Sequence, residues 1–243
     1  MKRYVSIVLA VLNEEQNAGR LVRQIDKLID AKRLKGILEV IFVDGGSVDS
    51  TVAVIKRLSK EEKRYRMRLM EQKVRGGTVA AQLEGAAAAK GSAIVIMDAD
   101  LQHSPDVIQT LLDKKRMGFD VVVASRSLGY ESSERSIARY VVSRTAQLLA
   151  YRFIKSSRST TDPLSGFFVT DREYLRRMKP LPNFYKLLMY LLASNKRLRI
   201  SEVNFSFANR QYGQSKVISL SMRFIRRYMK ELLYYSRLEL AKK

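Results

Sequence analysis

The sequence predicts an α/β fold in which a mostly parallel sheet is flanked by helices. Two observations predict it. Short apolar runs alternate with helical patterns from Tyr4 to Ser125, which is typical of strand–helix–strand units. Acidic residues also stand at the ends of three of the apolar runs, where parallel sheets present ligand-binding groups.

Five strands joined by four helices are expected in this first part. The predicted strands are 4–12, 38–44, 67–72, 92–97 and 119–125. The predicted helices between them are 17–31, 51–64, 78–91 and 106–117. Asp49 or Ser50 suits the cap of the second helix, Gly91 the end of the third, and Ser104 with Pro105 the start of the fourth.

The pattern changes after residue 126. The predicted segments are a polar loop at 127–135, a helix at 136–155, a loop at 155–166, a strand at 167–170, a helix at 183–195 and a strand at 199–208. Neither an internal repeat nor a low-complexity linker interrupts the chain. We therefore expect one domain over residues 1–216 and an extension over 217–243.

The extension has the pattern of a basic amphipathic helix. Its apolar stripe is Ile218, Met222, Ile225, Met229 and Leu232, and its basic stripe is Arg223, Arg226, Arg227 and Lys230. Such a helix suits a membrane surface or an acidic partner, and packing of the apolar stripe on the domain explains it equally well.

Composition narrows the class of protein. The 243 residues carry a net charge of +21, which favours an anionic partner such as a nucleic acid, an anionic membrane surface or a phosphorylated ligand. There is no cysteine, and no apolar run approaches the roughly 20 residues of a membrane-spanning helix. The start shows no signal peptide, which fits a cytosolic protein. Together with the basic helix, this leads us to expect a peripheral protein on the cytoplasmic side of a membrane, without a transmembrane segment.

Asp98 and Asp100 follow the fourth predicted strand, in "MDADLQH". In an extended chain, residues two apart face the same way, so both carboxylates could bind one ligand, and Gln102 continues the spacing. Hard oxygen ligands suit Mg²⁺ or Mn²⁺, which take their remaining ligands from phosphates and water. The motif therefore predicts a site for a divalent metal.

Two further strand ends carry acidic residues. Asp44 ends the second strand and precedes Gly45 and Gly46, whose backbone N–H groups could hold a ribose or phosphate. Glu14 follows the first strand. We expect these groups to converge with Asp98 on one edge of the sheet.

Five motifs in this order, "LNEEQN", "VDGGSVDST", "MDADLQHSPD", "DPLSGF" and "RQYGQSKV", resemble those of the inverting family 2 glycosyltransferases. Within that family the chain is most similar to the dolichyl-phosphate mannose synthases, over roughly residues 4–220. The resemblance implies a Rossmann-like GT-A fold. It also implies transfer of a hexose from a nucleotide sugar to a dolichyl or polyprenyl phosphate, with GDP-mannose favoured as donor.

The resemblance also implies residue roles. The implied nucleotide-sugar contacts are Ala10, Leu12, Glu14, Asp44, Asp98 and Lys216. The implied metal ligands are Asp98, Asp100 and Gln102. The implied acceptor-phosphate contacts are Arg126, Arg139, Ser143, Asp162, Ser165, Gly166 and Arg210. Arg210, Arg126 and Asp100 are the implied catalytic residues.

Two departures affect the nucleotide side. The family's Pro-x-Tyr-Asn-Glu is Ala10-Val11-Leu12-Asn13-Glu14 here, and its Asp-Asp pair is Asp44-Gly45. UDP-glucose is therefore an alternative donor. The synthases of this family often carry C-terminal membrane spans; here the basic helix or a separate membrane subunit could supply the anchor.

The acceptor decides whether a general base is needed. A phosphomonoester has a second pKa of about 6, so it is already a nucleophile at neutral pH. A glycan hydroxyl, the other possible acceptor, would need a carboxylate base, for which Asp162 is the candidate. His103 is expected to support the metal site or lie on the surface rather than act in catalysis.

Two rival classes are less consistent with these motifs. A nucleic-acid-binding protein fits the charge, but the sequence has no recognisable RNA- or DNA-binding signature, and the acidic motif would be unexplained. A dinucleotide-dependent oxidoreductase should have G-x-G-x-x-G after the first strand, where "LNEEQN" stands.

Overall fold

The computed structural model describes residues 4–73, 76–126, 137–195, 197–205 and 222–242, with the backbone alone at 137–140 and 222–224. The described residues form one seven-stranded sheet in the order β3-β2-β1-β4-β6-β5-β7. Its strands are β1 Val5–Val11, β2 Ile37–Asp44, β3 Arg66–Glu71, β4 Ala93–Asp98, β5 Val121–Ser125, β6 Phe168–Asp171 and β7 Ile200–Asn204. All neighbouring strands are parallel except β6, which is antiparallel to both β4 and β5.

Helices cover both faces of the sheet. They are α1 Glu15–Asp30, α2 Thr51–Leu58, α3 Thr78–Ala88, α4 Val107–Arg116, α5 Ile137–Phe153, α6 Arg172–Arg176, α7 Leu187–Ser194 and α8 Met222–Leu240. A 3₁₀ helix spans Lys155–Ser159. The predicted α/β architecture with its mostly parallel sheet is confirmed.

The alternation of side chains along each strand divides the core into two layers. In β1, Ile7 and Leu9 pack in the layer that contains α1, α2 and α4, whereas Val8 packs in the layer that contains α3, α7 and α8. Strands buried on both faces read as continuous apolar runs, which is why the sequence predicted them well.

Several predicted helix ends were wrong, among them the start of the helix expected at 183–195, which begins at Leu187. α2 ends at Leu58 instead of residue 64. α3 ends at Ala88, and Gly91 is needed for a different reason: a Cβ there would lie 2.6 Å from the backbone nitrogen of Ser6. α4 begins at Val107, two residues after Pro105, because the Ser104 hydroxyl donates to the Asp106 carboxylate and caps no helical N–H.

The C-terminal helix α8 packs on the domain. Tyr228, Leu232 and Tyr235 are buried in the layer that contains α7, and the Tyr228 hydroxyl donates to the carbonyl of Ala146 in α5 at 2.6 Å. Of the apolar stripe expected here, Leu232 is buried but Ile225 is exposed. The buried stripe thus has helical spacing, but it is shifted around the helix because aromatic residues fill it.

The rest of that expected pattern divides as follows. Met229 is half-buried, Arg226 and Lys230 are exposed, and Ile218 lies outside the described residues. Across the described ranges, no helix combines the length and apolar character needed to cross a bilayer.

Candidate active site

The sheet brings the predicted strand-end residues onto neighbouring strands. Ala10 in β1 is opposite Val43 in β2 and Asp98 in β4, and the next residue, Val11, is opposite Asp44. Since β2, β1 and β4 run parallel, their carboxyl ends meet at one edge. This edge holds the candidate site.

The turn after β4 presents the two aspartates of "DADLQH". The Asp98 backbone N–H donates to His103 Nδ1 at 3.0 Å, and the Gln102 N–H donates to Asp100 Oδ1 at 3.1 Å. Leu101 has a φ of 64°, in the left-handed region, so the chain bends between the two bonds. The extended chain therefore does not continue to Gln102, and the assignment of Gln102 as a metal ligand stays a prediction.

The donor groups of this turn suit a hard divalent cation. The Asp98 side chain is 46% exposed and Asp100 is half-buried, so both carboxylates are accessible at the edge of the sheet. Within the described ranges, no cluster of three or more His, Cys, Asp or Glu residues forms a complete metal cage. Two carboxylates fit an ion such as Mg²⁺ or Mn²⁺ that takes its other ligands from phosphate and water.

His103 supports this turn from the inside. It is 2% exposed and packs against the rings of Phe167 and Phe205, with ring centroids at 5.1 and 5.7 Å. Burial lowers its pKa to about 4, so the imidazole is neutral, and its Nδ1 accepts the Asp98 N–H. Of the two expected positions, a surface role was wrong; His103 holds the backbone of Asp98 in place.

A bidentate ion pair lies beside the turn. Arg126, which follows β5, donates from Nε to Asp162 Oδ2 and from Nη2 to Asp162 Oδ1, both at 2.7 Å. Burial opposes ionisation of each partner, but the hydrogen bonds and opposite charge of Arg126 outweigh it and hold the pKa of Asp162 below its usual range. The pKa of Arg126 is raised in the same way. Asp162 is thereby a poor proton acceptor.

The loop that carries Asp162 is fixed by β7. Glu202 accepts hydrogen bonds from the Thr160 hydroxyl and from the N–H and hydroxyl of Thr161. The Thr161 hydroxyl is also bonded to that of Ser125 at 2.8 Å. No sequence motif marked Glu202, because it lies about forty positions from its partners in a strand that looks unexceptional.

Two residues of this loop that were predicted to contact the acceptor, Ser165 and Gly166, have structural roles. The Ser165 hydroxyl is buried and donates to the Ala124 carbonyl at 2.8 Å. The structure therefore does not support a direct contact between Ser165 and a phosphate. A Cβ on Gly166 would lie 3.0 Å from Asp98 Oδ2. Glycine at 166 thus leaves room for the Asp98 carboxylate.

On the nucleotide side, the loops after β1 and β2 are bonded to each other. The Asp44 carboxylate accepts the N–H groups of Gly46 and Ser47 at 3.0 and 3.1 Å, which closes its own loop. Glu14 is buried, and its backbone N–H donates to Thr51 Oγ1 at 2.7 Å. Asp44 therefore organises the loop that the sequence assigned to the nucleoside.

The remaining predicted residues are placed as follows. Ala10 is half-buried at the end of β1, and Leu12 beside it is 39% exposed. Ser143 is exposed on α5, and Arg139 is described by its backbone alone. Arg210 and Lys216 lie outside the described residues.

The structure also brings to the site one cation that the sequence did not single out. The charge of Lys186, which precedes α7, acts on both Asp162 and His103. It stands in "NFYKLLMY", an apolar segment without a recognisable binding motif.

Comparison with known proteins agrees with this geometry. The family profile described as Glycosyl transferase family 2 matches residues 6–179. A dolichol-phosphate mannosyltransferase of Pyrococcus furiosus is 30% identical over 214 residues, which are 88% of this chain and 59% of the relative. That of Saccharomyces cerevisiae is 29% identical over 236 residues, 93% of this chain and 85% of the relative. The chain spans about three fifths of the length of the Pyrococcus relative.

Solved structures agree on the fold. Glucosyl-3-phosphoglycerate synthase from Mycobacterium tuberculosis, in complex with Mn²⁺, UDP-glucose and phosphoglyceric acid, matches with a TM-score of 0.72 at 23% identity. The match covers 97% of this chain and 80% of that chain. The profile, the relatives and the arrangement of strand-end residues lead to one conclusion: the chain belongs to glycosyl transferase family 2.

Proposed function

We propose that this protein transfers a hexose from a nucleotide sugar to a dolichyl or polyprenyl phosphate, with inversion. Mannose from GDP-mannose is the favoured donor group, because the two relatives above are dolichol-phosphate mannosyltransferases. The Arg126–Asp162 pair is the observation that supports a phosphate, and not a hydroxyl, as the acceptor. A hydroxyl acceptor would need a general base, and Asp162 is the carboxylate considered for that role. Both oxygens of Asp162 accept hydrogen bonds from Arg126, so this carboxylate is not available to remove a proton.

A phosphate acceptor needs no such base. One of its oxygens attacks the anomeric carbon while the bond from that carbon to the donor diphosphate breaks, and the nucleoside diphosphate leaves with the electron pair. No proton has to be removed from the nucleophile, because a phosphomonoester with a second pKa of about 6 is largely dianionic at neutral pH. Arg126 would orient this phosphate together with Arg139, Ser143 and Arg210.

Asp98 and Asp100, with Gln102, would hold a Mg²⁺ or Mn²⁺ ion. When bound, such an ion supplies positive charge that stabilises a diphosphate leaving group. The chain's own contribution is to fix the two carboxylates: His103 holds the backbone of Asp98, and the Gln102 N–H holds the Asp100 carboxylate. Lys216 would add a further cation at the diphosphate.

The nucleoside would lie against the loops after β1 and β2, with Ala10, Leu12, Glu14 and Asp44 nearby. UDP-glucose is the alternative donor, since Gly45 replaces the second acidic residue of the family's pair. A Cβ at position 45 would lie 3.3 Å from Gln72 Oε1, so a side chain at this position would crowd Gln72.

The reaction would take place at an anionic membrane surface on the cytoplasmic side, with the protein bound peripherally. Support comes from the exposed face of α8, where basic residues alternate with leucines at helical spacing. This face consists of Arg226, Lys230, Leu233, Arg237 and Leu240. Exposed apolar groups among cations fit a lipid interface, and a separate membrane subunit could add to it.

The test is a transfer assay on the full chain. Purified protein is incubated with Mn²⁺, a polyprenyl phosphate and either GDP-mannose or UDP-glucose, and glycolipid is followed by mass spectrometry. Product from GDP-mannose that is lost in Asp100→Ala supports the proposal. Product from UDP-glucose alone assigns the alternative donor, and transfer to a glycan hydroxyl without lipid product would overturn the acceptor.

Membrane binding is tested separately by co-sedimentation with vesicles that contain anionic lipid. Leu233→Glu with Leu240→Glu should reduce the bound fraction strongly. Met117→Glu, which changes an apolar side chain 74% exposed at the end of α4, is the matched control. Equal binding by both variants would contradict the α8 surface.

A further inference from the structure

The segment before α7 is held rigidly by two other elements. The backbone N–H groups of Tyr185 and Lys186 donate to the two carboxylate oxygens of Glu231 in α8, at 3.0 and 3.2 Å. The hydroxyl of Thr78, the first residue of α3, donates to the Tyr185 carbonyl at 3.1 Å. The backbone of Lys186 therefore has a fixed position.

Close packing against the start of α3 adds to this constraint. The Val79 N–H donates to the Phe184 carbonyl at 3.1 Å. A Cβ on Gly77, whose φ is 79°, would lie 2.3 Å from that same carbonyl oxygen, so only glycine fits. Since α3 follows β3, its first residues lie at the carboxyl edge of the sheet, which is the edge of the candidate site.

The side chain of Lys186 shares the electrostatic environment of the site. Burial lowers its pKa most, Arg126 lowers it further, and Glu231, Asp98 and Asp162 act in the opposite direction. Lys186 in turn lowers the pKa of Asp162 and of His103. The ammonium group is thus near both the metal-site turn and the Arg126–Asp162 pair.

Among the residues that the structure describes, no anion is bonded to Lys186. Asp162 is engaged by Arg126. The oxygens of Glu231 accept backbone N–H groups. Among the contacts of the described residues, the Lys186 ammonium forms neither an ion pair nor a hydrogen bond, although the residue is half-buried. A half-buried cation beside a second cation is stabilised by an anion that arrives with a ligand.

We propose that Lys186 binds a phosphate group of the substrates, next to Arg126. This inference rests on the proposed function, because it deepens the account of how that site neutralises phosphate. Two sources share the chemistry: the diphosphate of the donor and the phosphate of the lipid acceptor. Glu231 acts as a positioning residue, since it fixes the backbone from which Lys186 extends.

The experiment measures binding to the full chain with Mn²⁺ present. The probes are GDP and UDP for the donor side, and a short-chain polyprenyl phosphate for the acceptor side. Lys186→Met should weaken at least one of these by tenfold or more, and Lys186→Arg should recover part of the affinity because it restores the charge. Lys179→Met removes a charge from an exposed position in the preceding segment and should leave both affinities unchanged.

The outcomes separate the two sources. Loss of nucleoside diphosphate binding alone places Lys186 on the donor, and loss of polyprenyl phosphate binding alone places it on the acceptor. Unchanged affinity for both in a Lys186→Met variant with the wild-type melting temperature overturns the inference but leaves the proposed function standing. Wild-type protein that binds neither class overturns the proposed function and this inference with it.

Discussion

Two deeply buried carboxylates, Asp162 in the loop before β6 and Glu231 in the C-terminal helix, have opposite electrostatic character. Asp162 is 6% exposed and Glu231 is 2% exposed, so both are removed from water to a similar degree. The pKa of Asp162 is nevertheless lowered, whereas burial raises the pKa of Glu231 to about 7. Both accept hydrogen bonds, and both have cations nearby.

The difference lies in the partner that donates the bonds. Asp162 receives two charge-assisted bonds from one guanidinium, whereas Glu231 receives two from neutral backbone N–H groups. The charges of Lys186 and Arg227 lower the pKa of Glu231 without overcoming burial. For these two carboxylates, burial by itself therefore does not set the charge; the cation in direct contact with Asp162 makes the difference.

Removing the guanidinium of Arg126 should have the largest effect on stability. Arg126→Met leaves Asp162 buried and unpaired, which should reduce the free energy of unfolding by about 3–5 kcal/mol, measured by urea denaturation. Sugar transfer should be lost as well. Arg116→Met removes the exposed Arg116–Asp113 pair and should leave stability nearly unchanged. Equal small losses in both variants would show that the guanidinium does not control Asp162.

Glu231 should make stability depend on pH in the opposite sense from Asp162. Between pH 4.5 and about 7 the folded state binds the Glu231 proton more tightly than the unfolded state. The contribution is therefore fully present below pH 4.5 and is lost as the pH rises through about 7, by on the order of 3 kcal/mol. Asp162, with a lowered pKa, contributes above its unfolded pKa and loses this contribution in acid.

Urea denaturation across pH 4.5 to 8 checks the Glu231 effect. Glu231→Gln should flatten the loss of stability in this range. Glu239→Gln is the matched control, because Glu239 also lies on α8 and accepts two backbone N–H groups, from Lys155 and Ser156, but its pKa is lowered. If the wild type already shows no loss of stability in this range, burial does not dominate at Glu231.

His103 extends the comparison to a buried group that is neutral. His103→Phe keeps the packing against Phe167 and Phe205 but removes the acceptor of the Asp98 N–H. An unsatisfied buried donor costs about 1–3 kcal/mol, so the free energy of unfolding should fall by that amount. The affinity for Mn²⁺ should fall as well. Unchanged Mn²⁺ binding would mean that the turn holds its shape without His103.

Gly166→Ala should have the smallest effect on stability and a local effect on the metal site. The added Cβ would meet Asp98 Oδ2 at 3.0 Å, so this carboxylate has to move by a few tenths of an ångström. We expect weaker Mn²⁺ binding and a stability change within about 1 kcal/mol. Gly19→Ala in α1, whose Cβ would make ordinary contacts at 3.5 Å, should stabilise slightly and leave Mn²⁺ binding unchanged.

Local pattern was enough to place the sheet and its acidic edge. The runs around Ile7, Phe42 and Val95 are apolar on both faces, so they identify buried strands without knowledge of their neighbours. Parallel strands then bring Asp44 and Asp98 to one edge. The α/β class, the sequence of strands and helices along the chain and the placement of acidic residues at this edge followed from these short-range features.

The charge states and the contacts that fix the site depended on the tertiary structure. Arg126 and Asp162 are 36 residues apart, and Glu231 and Lys186 are 45 apart. The backbone at Leu101 turns where the alternation of the sequence predicted an extended chain. Whether a carboxylate is ionised depends on which cation the packing brings against it. Periodicity in the sequence records which face of a strand or helix is buried, but it does not record which side chains of distant segments meet there.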